Sequence, residues 1–214
     1  KTTSADRQGS KKERHVGIID LGSNTARLVV FRYVSGQWFQ LQDSIRERIR
    51  LAEGMGEAKR IQPAAGKRAI AALKLFADYA RATSLEELQV VATSAVREAT
   101  NREELLEQIA ELGLPVTILS GAEEAEYGVR AVANSLAIEN GFVIDMGGGS
   151  MQISEMTQRR SSGGEAYPIG ALRLTEQCLD GAIGIVTPVL VRHGPVTLHA
   201  QSNADLIAVA PSVV

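Results

Sequence analysis

The sequence has few of the residues that cross-link a protein or anchor it in a membrane. It contains one cysteine, Cys178, in 214 residues, so no internal disulfide can form, as expected for a protein of the reducing cytoplasm. Cys178 lies in an apolar-periodic stretch and is predicted to be a buried core thiol rather than a nucleophile. No apolar run approaches the roughly 20 residues that a membrane-spanning helix requires. We therefore expect a cytoplasmic protein.

A strong charge of either sign is also lacking. The formal net charge is −2, with 22% charged and 44% hydrophobic residues, as in ordinary soluble globular proteins. Because no global basic field exists, we expect no nucleic-acid or membrane partner, and a polyanion would need a local cluster of cations. Residues 1–15 are polar, have no apolar segment of a secretory signal and are predicted to be a disordered leader.

Two related segments are the most informative feature that is present, Val16–Thr25 and Gly141–Ser150. Each is a short apolar strand that delivers an Asp, followed by a turn rich in Gly and Ser. Such a turn can direct backbone N–H groups and a hydroxyl at phosphate oxygens, while the Asp can hold a cation. Two copies predict two similar half-domains that face each other across a phosphate-binding cleft.

The order of helix and strand patterns predicts an α/β fold with mixed sheets. Pro63 opens a helix that runs to Ala82, and Ser120 caps another with Glu123 at the capping-box position. The expected half-domains are residues 16–139 and 140–214. The remaining predicted elements are strands at Val16–Asp20, Arg27–Val34, Gln37–Gln42, Ile45–Ala52, Gln89–Ala92, Val116–Leu119 and Gln152–Met156, a helix capped by Asn101 or Thr100, a helix at Ala171–Leu179, a polar turn at Arg159–Gly164, and short strands and loops over Gly181–Val214.

Asp20 and Asp145 end matching strands, where open α/β folds place their ligands. If both face one cleft, they can hold a divalent cation, Mg²⁺ being expected, through waters. Each could instead cap its own turn, but the matching contexts favour the functional interpretation. The turns add phosphate donors and match neither the Walker nor the Rossmann pattern. The candidate donors are Ser23, Asn24, Thr25, Gly147, Gly148, Gly149 and Ser150.

Other charged residues have two interpretations each. Glu123, Glu124 and Glu126 occupy the first turns of a helix, where spacing alone favours simple complementation of the helix dipole over a general base. Arg97 follows a buried strand and could grip phosphate, although a lone Arg there is more often a surface group. The arginines of Ile45–Ala52 are equally compatible with a cationic cluster and with a solvated edge.

Several motifs together resemble one known family. The chain resembles the exopolyphosphatase / guanosine pentaphosphate phosphohydrolase family, within the actin–sugar kinase–Hsp70 superfamily. The resemblance implies two ribonuclease H-like half-domains with the site between them, and Mg²⁺-dependent release of terminal phosphate from polyphosphate or guanosine pentaphosphate. The motifs that carry it are Asp20–Arg27, Ala92–Asn101, Ser120–Tyr127, Val143–Ser150 and Pro168–Glu176.

The resemblance also implies roles for residues of this sequence. Glu124 matches the family's catalytic Glu and becomes the expected general base, and Asp145 matches its metal-linked Asp. Arg97 matches a phosphate-gripping Arg, and Arg48 an Arg on the strand that lines the entrance. Asp20 belongs to the first phosphate loop, and with Glu124 is a further candidate metal ligand. The two loops match at Asp20, Gly22, Ser23, Asn24 and Thr25, and at Gly147, Gly148, Gly149 and Ser150.

The sequence departs from the family at two places. Gln152 stands where the family usually has a Glu, and the family's later Gly-Gly-Thr motif is not found after Glu176, so we expect a shortened second half-domain. A module that binds polyphosphate or a guanosine alarmone without hydrolysis is therefore the main alternative. An ATP-using kinase or chaperone of the same superfamily is a second, and a homodimer is retained as a candidate assembly.

Overall fold

The computed structural model describes the side chains of residues 12–176 and the backbone of residues 12–179, 196–200 and 206–211. Residues 1–11 of the predicted leader and the thiol of Cys178 lie outside these limits. The elements are β1 (Arg14–Leu21), β2 (Thr25–Val34), β3 (Trp38–Arg48), α1 (Pro63–Ala82), β4 (Glu87–Ala92), α2 (Ser94–Glu98), α3 (Arg102–Glu111), β5 (Val116–Ile118), α4 (Gly121–Ser135), β6 (Gly141–Met146), β7 (Met151–Thr157), β8 (Arg160–Tyr167), α5 (Ala171–Leu179), β9 (Val196–Ala200) and β10 (Leu206–Pro211).

The first sheet has the strand order β3-β2-β1-β4-β5. Its first three strands form an antiparallel meander, whereas β4 and β5 run parallel to β1. Helix α1 begins with Pro63 at its first turn, as predicted, and buries Leu73 and Phe76 against Ile19 and Leu28 of the sheet. This core holds β1 rigidly, so the loop after β1 has a fixed position.

The second sheet has the order β8-β7-β6-β10-β9 and repeats the meander with β6 in the place of β1. In its described strands it is antiparallel throughout, because β10 runs against β6. The predicted α/β fold, with a sheet in each half, is confirmed. None of the helices among the described residues is both long and apolar enough to cross a membrane.

Helix α4 packs on the second sheet although it precedes β6 in the chain. Its Val129 and Val132 form a small core with Val143 and Met156. Small residues on β8 permit a close approach, because a Cβ added at Gly164 would lie 3.1 Å from that of Ala125. The predicted division after residue 139 stays a prediction, but the chain crosses between the sheets before that point.

Four local predictions need correction. The strands predicted separately at Gln37–Gln42 and Ile45–Ala52 are one strand, β3, which runs from Trp38 to Arg48. The polar turn predicted at Arg159–Gly164 is wrong: Gln158 and Arg159, both with positive φ, make a two-residue hairpin turn, and β8 begins at once. Strand β8 is exposed and polar, so it has no apolar alternation to reveal it. Helix α2 was not predicted. Asn101 does not cap α3 through its side chain, because its amide bonds both backbone groups of Ile61 instead.

Candidate functional site

The loops after β1 and β6 have the same backbone closure. In the first, the N–H of Gly22 donates to the carbonyl of Thr25 at 3.0 Å, and in the second the N–H of Gly147 donates to that of Ser150 at 2.9 Å. Each loop thus turns tightly after an Asp and passes directly into the antiparallel strand behind it. The sequence similarity between the two segments is therefore a similarity of conformation.

Carbonyl groups of both loops accept hydrogen bonds from backbone N–H groups of neighbouring segments. The carbonyls of Ser23 and Asn24 accept bonds from the segment 49–52, and those of Gly147 and Gly148 accept bonds from the first residues of α5. Among the residues that the structure describes, no acceptor is found for the N–H of Gly148 or Gly149. With the carbonyls engaged elsewhere, each loop can present N–H groups, which attract phosphate oxygens.

The two loops touch each other, which explains the glycines of the second. A Cβ added at Gly148 would lie 2.8 Å from the Cβ of Asn24. One added at Gly149 would lie 2.3 Å from the hydroxyls of both Ser23 and Ser94. Those two hydroxyls share a buried hydrogen bond of 3.0 Å. Any side chain at these glycines would force the loops apart, so the close approach requires glycine.

A cavity of about 510 Å³ opens between the two sheets beside the loops. Helix α4 forms one wall with residues spaced three or four apart, which lie on one face of a helix. The residues of α4 that line it are Glu124, Tyr127, Gly128 and Ala131, and the opposite face of the helix packs on the second sheet. The cavity is therefore lined both by residues of the first sheet and by a helix that packs on the second sheet.

Glu124 is a carboxylate of this cavity whose pKa is raised above its ordinary value. Its side chain is 18% exposed and accepts a hydrogen bond of 2.9 Å from Nη1 of Arg97, which also donates to the carbonyl of Leu119. Burial raises the pKa of the Glu124 carboxyl, and bonds from Arg97 and Gln152 offset only part of that rise. A carboxylate that is harder to ionise in a cleft is a better proton acceptor than an exposed one.

Gln152 is 2% exposed and lies between Glu124 and the second loop. Its Nε2 donates to the hydroxyl of Ser150 at 2.9 Å, and its amide lies near enough to Glu124 to lower the pKa of that carboxyl. An amide has two N–H donors and no charge, so it can join these two acceptors without repelling the carboxylate. Gln152 is thus a structural link within the site.

The structure brings most of the predicted site residues together. It places Arg97 behind Glu124, beside a separate pocket of about 320 Å³, and Arg48 outside the cavity lining. This geometry favours a positioning role for Arg97 over direct phosphate contact. The predicted residues that line the cavity are Asp20, Gly22, Ser23, Asn24, Thr25, Glu124, Asp145, Gly147, Gly148, Gly149 and Ser150.

Sequence reasoning missed several residues of the cavity. Arg27, Thr93 and Tyr127 line it and were not singled out as site residues, and Arg46, which also lines it, belongs to the arginines of Ile45–Ala52 for which a cationic cluster was left open. The strand register of the first sheet would have revealed the two arginines, because Arg27 lies directly opposite Asp20 and Arg46 lies opposite Arg27. Residues opposite one another on neighbouring strands share a face. The strand pairing must be known before this row can be recognised.

The carboxylates Asp20 and Asp145 give the cavity hard oxygen donors, the type that Mg²⁺ prefers. No group of three or more His, Cys, Asp and Glu residues that could hold a metal occurs in the part of the chain that the structure describes. Mg²⁺ usually takes only one or two carboxylates and completes its shell with water and substrate phosphate. The donor set fits such a site. Glu124 fits it less well, because Arg97 already supplies its cation.

The fold and the site define a class: α/β proteins of two sheets with paired Asp- and Gly-containing loops beside a common cavity. The model of the Ppx/GppA phosphatase family matches residues 29–189, and the chain belongs to that family. It is 30% identical to Exopolyphosphatase 1 of Mycobacterium leprae over 167 residues. The matched region covers 77% of this chain and 49% of that protein.

Solved structures agree with this assignment. An exopolyphosphatase from Cytophaga hutchinsonii superposes with a TM-score of 0.72 at 25% identity, over 77% of this chain and 54% of that one. The Ppx/GppA family member of Aquifex aeolicus has a TM-score of 0.66 at 30% identity, with the same coverages of 77% and 54%. The chain spans about half the length of the curated relatives that it matches.

Proposed function

We propose that the chain carries the catalytic cleft of a phosphohydrolase that releases terminal phosphate from polyphosphate, guanosine pentaphosphate or both, with Mg²⁺. One observation carries the proposal: a half-buried carboxylate with a raised pKa, Glu124, lies in the same cavity as the loops after β1 and β6. Exopolyphosphatase relatives support hydrolysis of phosphoanhydrides as the reaction class.

In the proposed reaction the terminal phosphate lies against the two loops, where N–H groups and the hydroxyls of Ser23 and Ser150 take its oxygens. Glu124 removes a proton from water as the water oxygen attacks phosphorus, and the anhydride P–O bond breaks so that the shortened chain leaves. Mg²⁺, held by Asp20 and Asp145, would neutralise phosphate charge. Arg97 and Gln152 hold the Glu124 carboxylate in place. Catalysis is mainly positioning and electrostatics.

Replacing Glu124 tests this assignment. In Glu124→Ala, turnover should fall by about 100-fold or more, the scale of losing general base catalysis. The measurement is phosphate release from both substrates, with and without Mg²⁺. Glu126→Ala is the matched control, since Glu126 lies on the same helix but is exposed and pairs with Arg130. Undiminished Mg²⁺-dependent release by Glu124→Ala would refute the role.

Gln152 favours a second candidate, a module that binds polyphosphate or an alarmone without hydrolysing it. Where the sequence resemblance implies a carboxylate, this chain has a buried amide. Both loops keep their backbone closures beside this amide, so the groups proposed to bind phosphate are retained. Saturable binding of either substrate by the unmodified chain, without phosphate release in Mg²⁺, would select this candidate over the hydrolase.

A further inference from the structure

A buried pair of hydroxyl groups lies beside the proposed phosphate site. Ser23, in the loop after β1, and Ser94, the first residue of α2, have their Oγ atoms 3.0 Å apart. Ser94 is 1% exposed and Ser23 is 5% exposed, so their contact is shielded from water. Ser23 lines the cavity, whereas Ser94 lies behind it and outside the lining. Ser94 would therefore act on a bound ligand through Ser23.

The pairing of two parallel strands creates this contact. Strands β1 and β4 have Leu21 opposite Ala92, so both end at the same edge of the first sheet. Ser23 and Ser94 follow these residues closely in the chain, and the N–H of Thr93 donates to the carbonyl of Leu21 at 3.3 Å. The two hydroxyls meet because of strand register, which is why no local sequence pattern reveals the pair.

The supply of protons fixes the direction of the hydrogen bond between the two serines. A serine hydroxyl has a single proton to donate, together with lone pairs that accept. If Ser23 donated to Ser94, the proton of Ser94 would lack an acceptor, because Ser23 is the one partner found for that hydroxyl among the described residues. A buried donor without a partner costs free energy. Ser94 therefore donates, and the proton of Ser23 stays available to the cavity.

A phosphate oxygen would extend this pair into a chain of hydrogen bonds. Ser94 donates to the Oγ of Ser23, and Ser23 would donate to the phosphate oxygen. Hydrogen bonds in such a chain polarise one another, so the second bond is stronger when the first is made. The second loop encloses the pair, since a Cβ added at Gly149 would lie 2.3 Å from both hydroxyl oxygens. Ser23 is thus held as a donor before any ligand arrives.

We propose that Ser94 is a positioning residue that orients the Ser23 hydroxyl as a phosphate donor. The inference rests on the proposed function, in which the terminal phosphate lies against the two loops. It also gives α2 a role in the site, because the same short helix carries Arg97, whose Nη1 donates to Glu124 at 2.9 Å. Helix α2 would thus orient a phosphate donor with its first residue and the proposed general base with Arg97.

The test is a double-mutant cycle of Ser23→Ala and Ser94→Ala. Release of phosphate from tripolyphosphate is measured in Mg²⁺ for the parent, both single variants and the double variant, and tripolyphosphate binding is measured in the Glu124→Gln background. Ser94→Ala should lower kcat/KM by about tenfold, the scale of one hydrogen bond, and should change kcat and KM in the same proportion as Ser23→Ala does. In the Ser23→Ala background it should change release by less than about twofold, because the group that it orients is absent.

Ser154→Ala is the matched control, because Ser154 is also 1% exposed and its hydroxyl donates to the carbonyl of Ala125 at 3.3 Å. It should lower stability in urea unfolding about as much as Ser94→Ala and leave phosphate release by the folded chain unchanged. Equal effects of Ser94→Ala with and without the Ser23 hydroxyl, in release and in binding, would overturn the proposal. Release by the parent with such independent effects would keep the proposed function and remove the role of Ser94. Coupled effects on tripolyphosphate binding without any release would do the reverse.

Discussion

Glu124 shows how neighbouring charges set the chemistry of one residue. Desolvation raises its pKa most, Arg97 lowers it through a hydrogen bond and through charge, and Glu98 raises it through charge. Arg97 and Glu98 are consecutive in α2, yet they act on Glu124 with opposite sign. A base needs its ionised form, so these neighbours decide the pH above which the site can work.

The two neighbours should shift the acid side of the pH–rate profile in opposite directions. Arg97→Gln removes the groups that lower the pKa of Glu124, so activity should begin at higher pH than in the parent. Glu98→Gln removes a group that raises that pKa, so activity should begin at lower pH. Phosphate release measured across pH checks both. A common direction for the two variants would contradict Glu124 as the titrating base.

At the scale of single elements, the sequence predicts the helix ends and caps that are set by residues close together in the chain. The bounds of α1 and α5 follow from Pro63 and from apolar spacing, and the capping box of α4 follows from Ser120 and Glu123. Elements shaped by tertiary contact were missed. Strand β8 is polar and pairs at an exposed position, and α2 is a single short turn between a strand and α3. Neither has a periodic pattern of its own.

The residues of the candidate site also fall into two groups, those that local sequence predicts and those whose position depends on tertiary contacts. Its loops were predictable because Asp, Gly and Ser occur together in each segment. The position of Arg97 behind Glu124, and the row that Arg27 and Arg46 complete, depend on strand register and helix packing. Residue order does not contain that information directly. Contacts between distant segments, such as Gln152 with Glu124, decide which charged residues reach the cavity.

The first turn of α4 can be tested as an element, because its capping box precedes Glu124 by a few residues. Ser120→Ala should lower the free energy of unfolding by about 1 kcal/mol and reduce activity, since a frayed first turn no longer fixes Glu124. Urea unfolding and phosphate release measure the two effects. Asn134→Ala, exposed at the other end of α4, is the control. Equal loss of activity in both variants would contradict a specific effect of the cap.

The same cap should respond to pH. Backbone and side-chain hydrogen bonds from Ser120 hold the pKa of Glu123 below its ordinary value. A carboxyl whose folded-state pKa is lowered stabilises the fold above its unfolded-state pKa, and that contribution is lost as pH falls through the folded-state value. The stability difference between the parent and Ser120→Ala should therefore shrink in acid.

At the scale of the whole molecule, α5 joins the two halves at the site. The N–H groups of Ala171 and Leu172 bond the carbonyls of the second loop, while Arg173 donates to Glu98 of α2 at 2.8 Å. One turn later, the carboxylate of Glu176 accepts the N–H of Gly54 at 2.9 Å. The helix thus fastens the second loop to two separate segments of the first half.

Arg173→Gln should loosen that connection. Arg173 and Glu98 are both about one-fifth exposed, at 20% and 18%, so their hydrogen bond is only partly screened by water. We expect a loss of about 1–3 kcal/mol in unfolding free energy, limited because Lys59 remains 3.6 Å from Glu98. Amide exchange at residues 147–150 should accelerate, since α5 no longer holds that loop against the first half. Arg130→Gln, whose ion pair is exposed, should change neither quantity, and unchanged exchange in Arg173→Gln would show that α5 does not fasten the site.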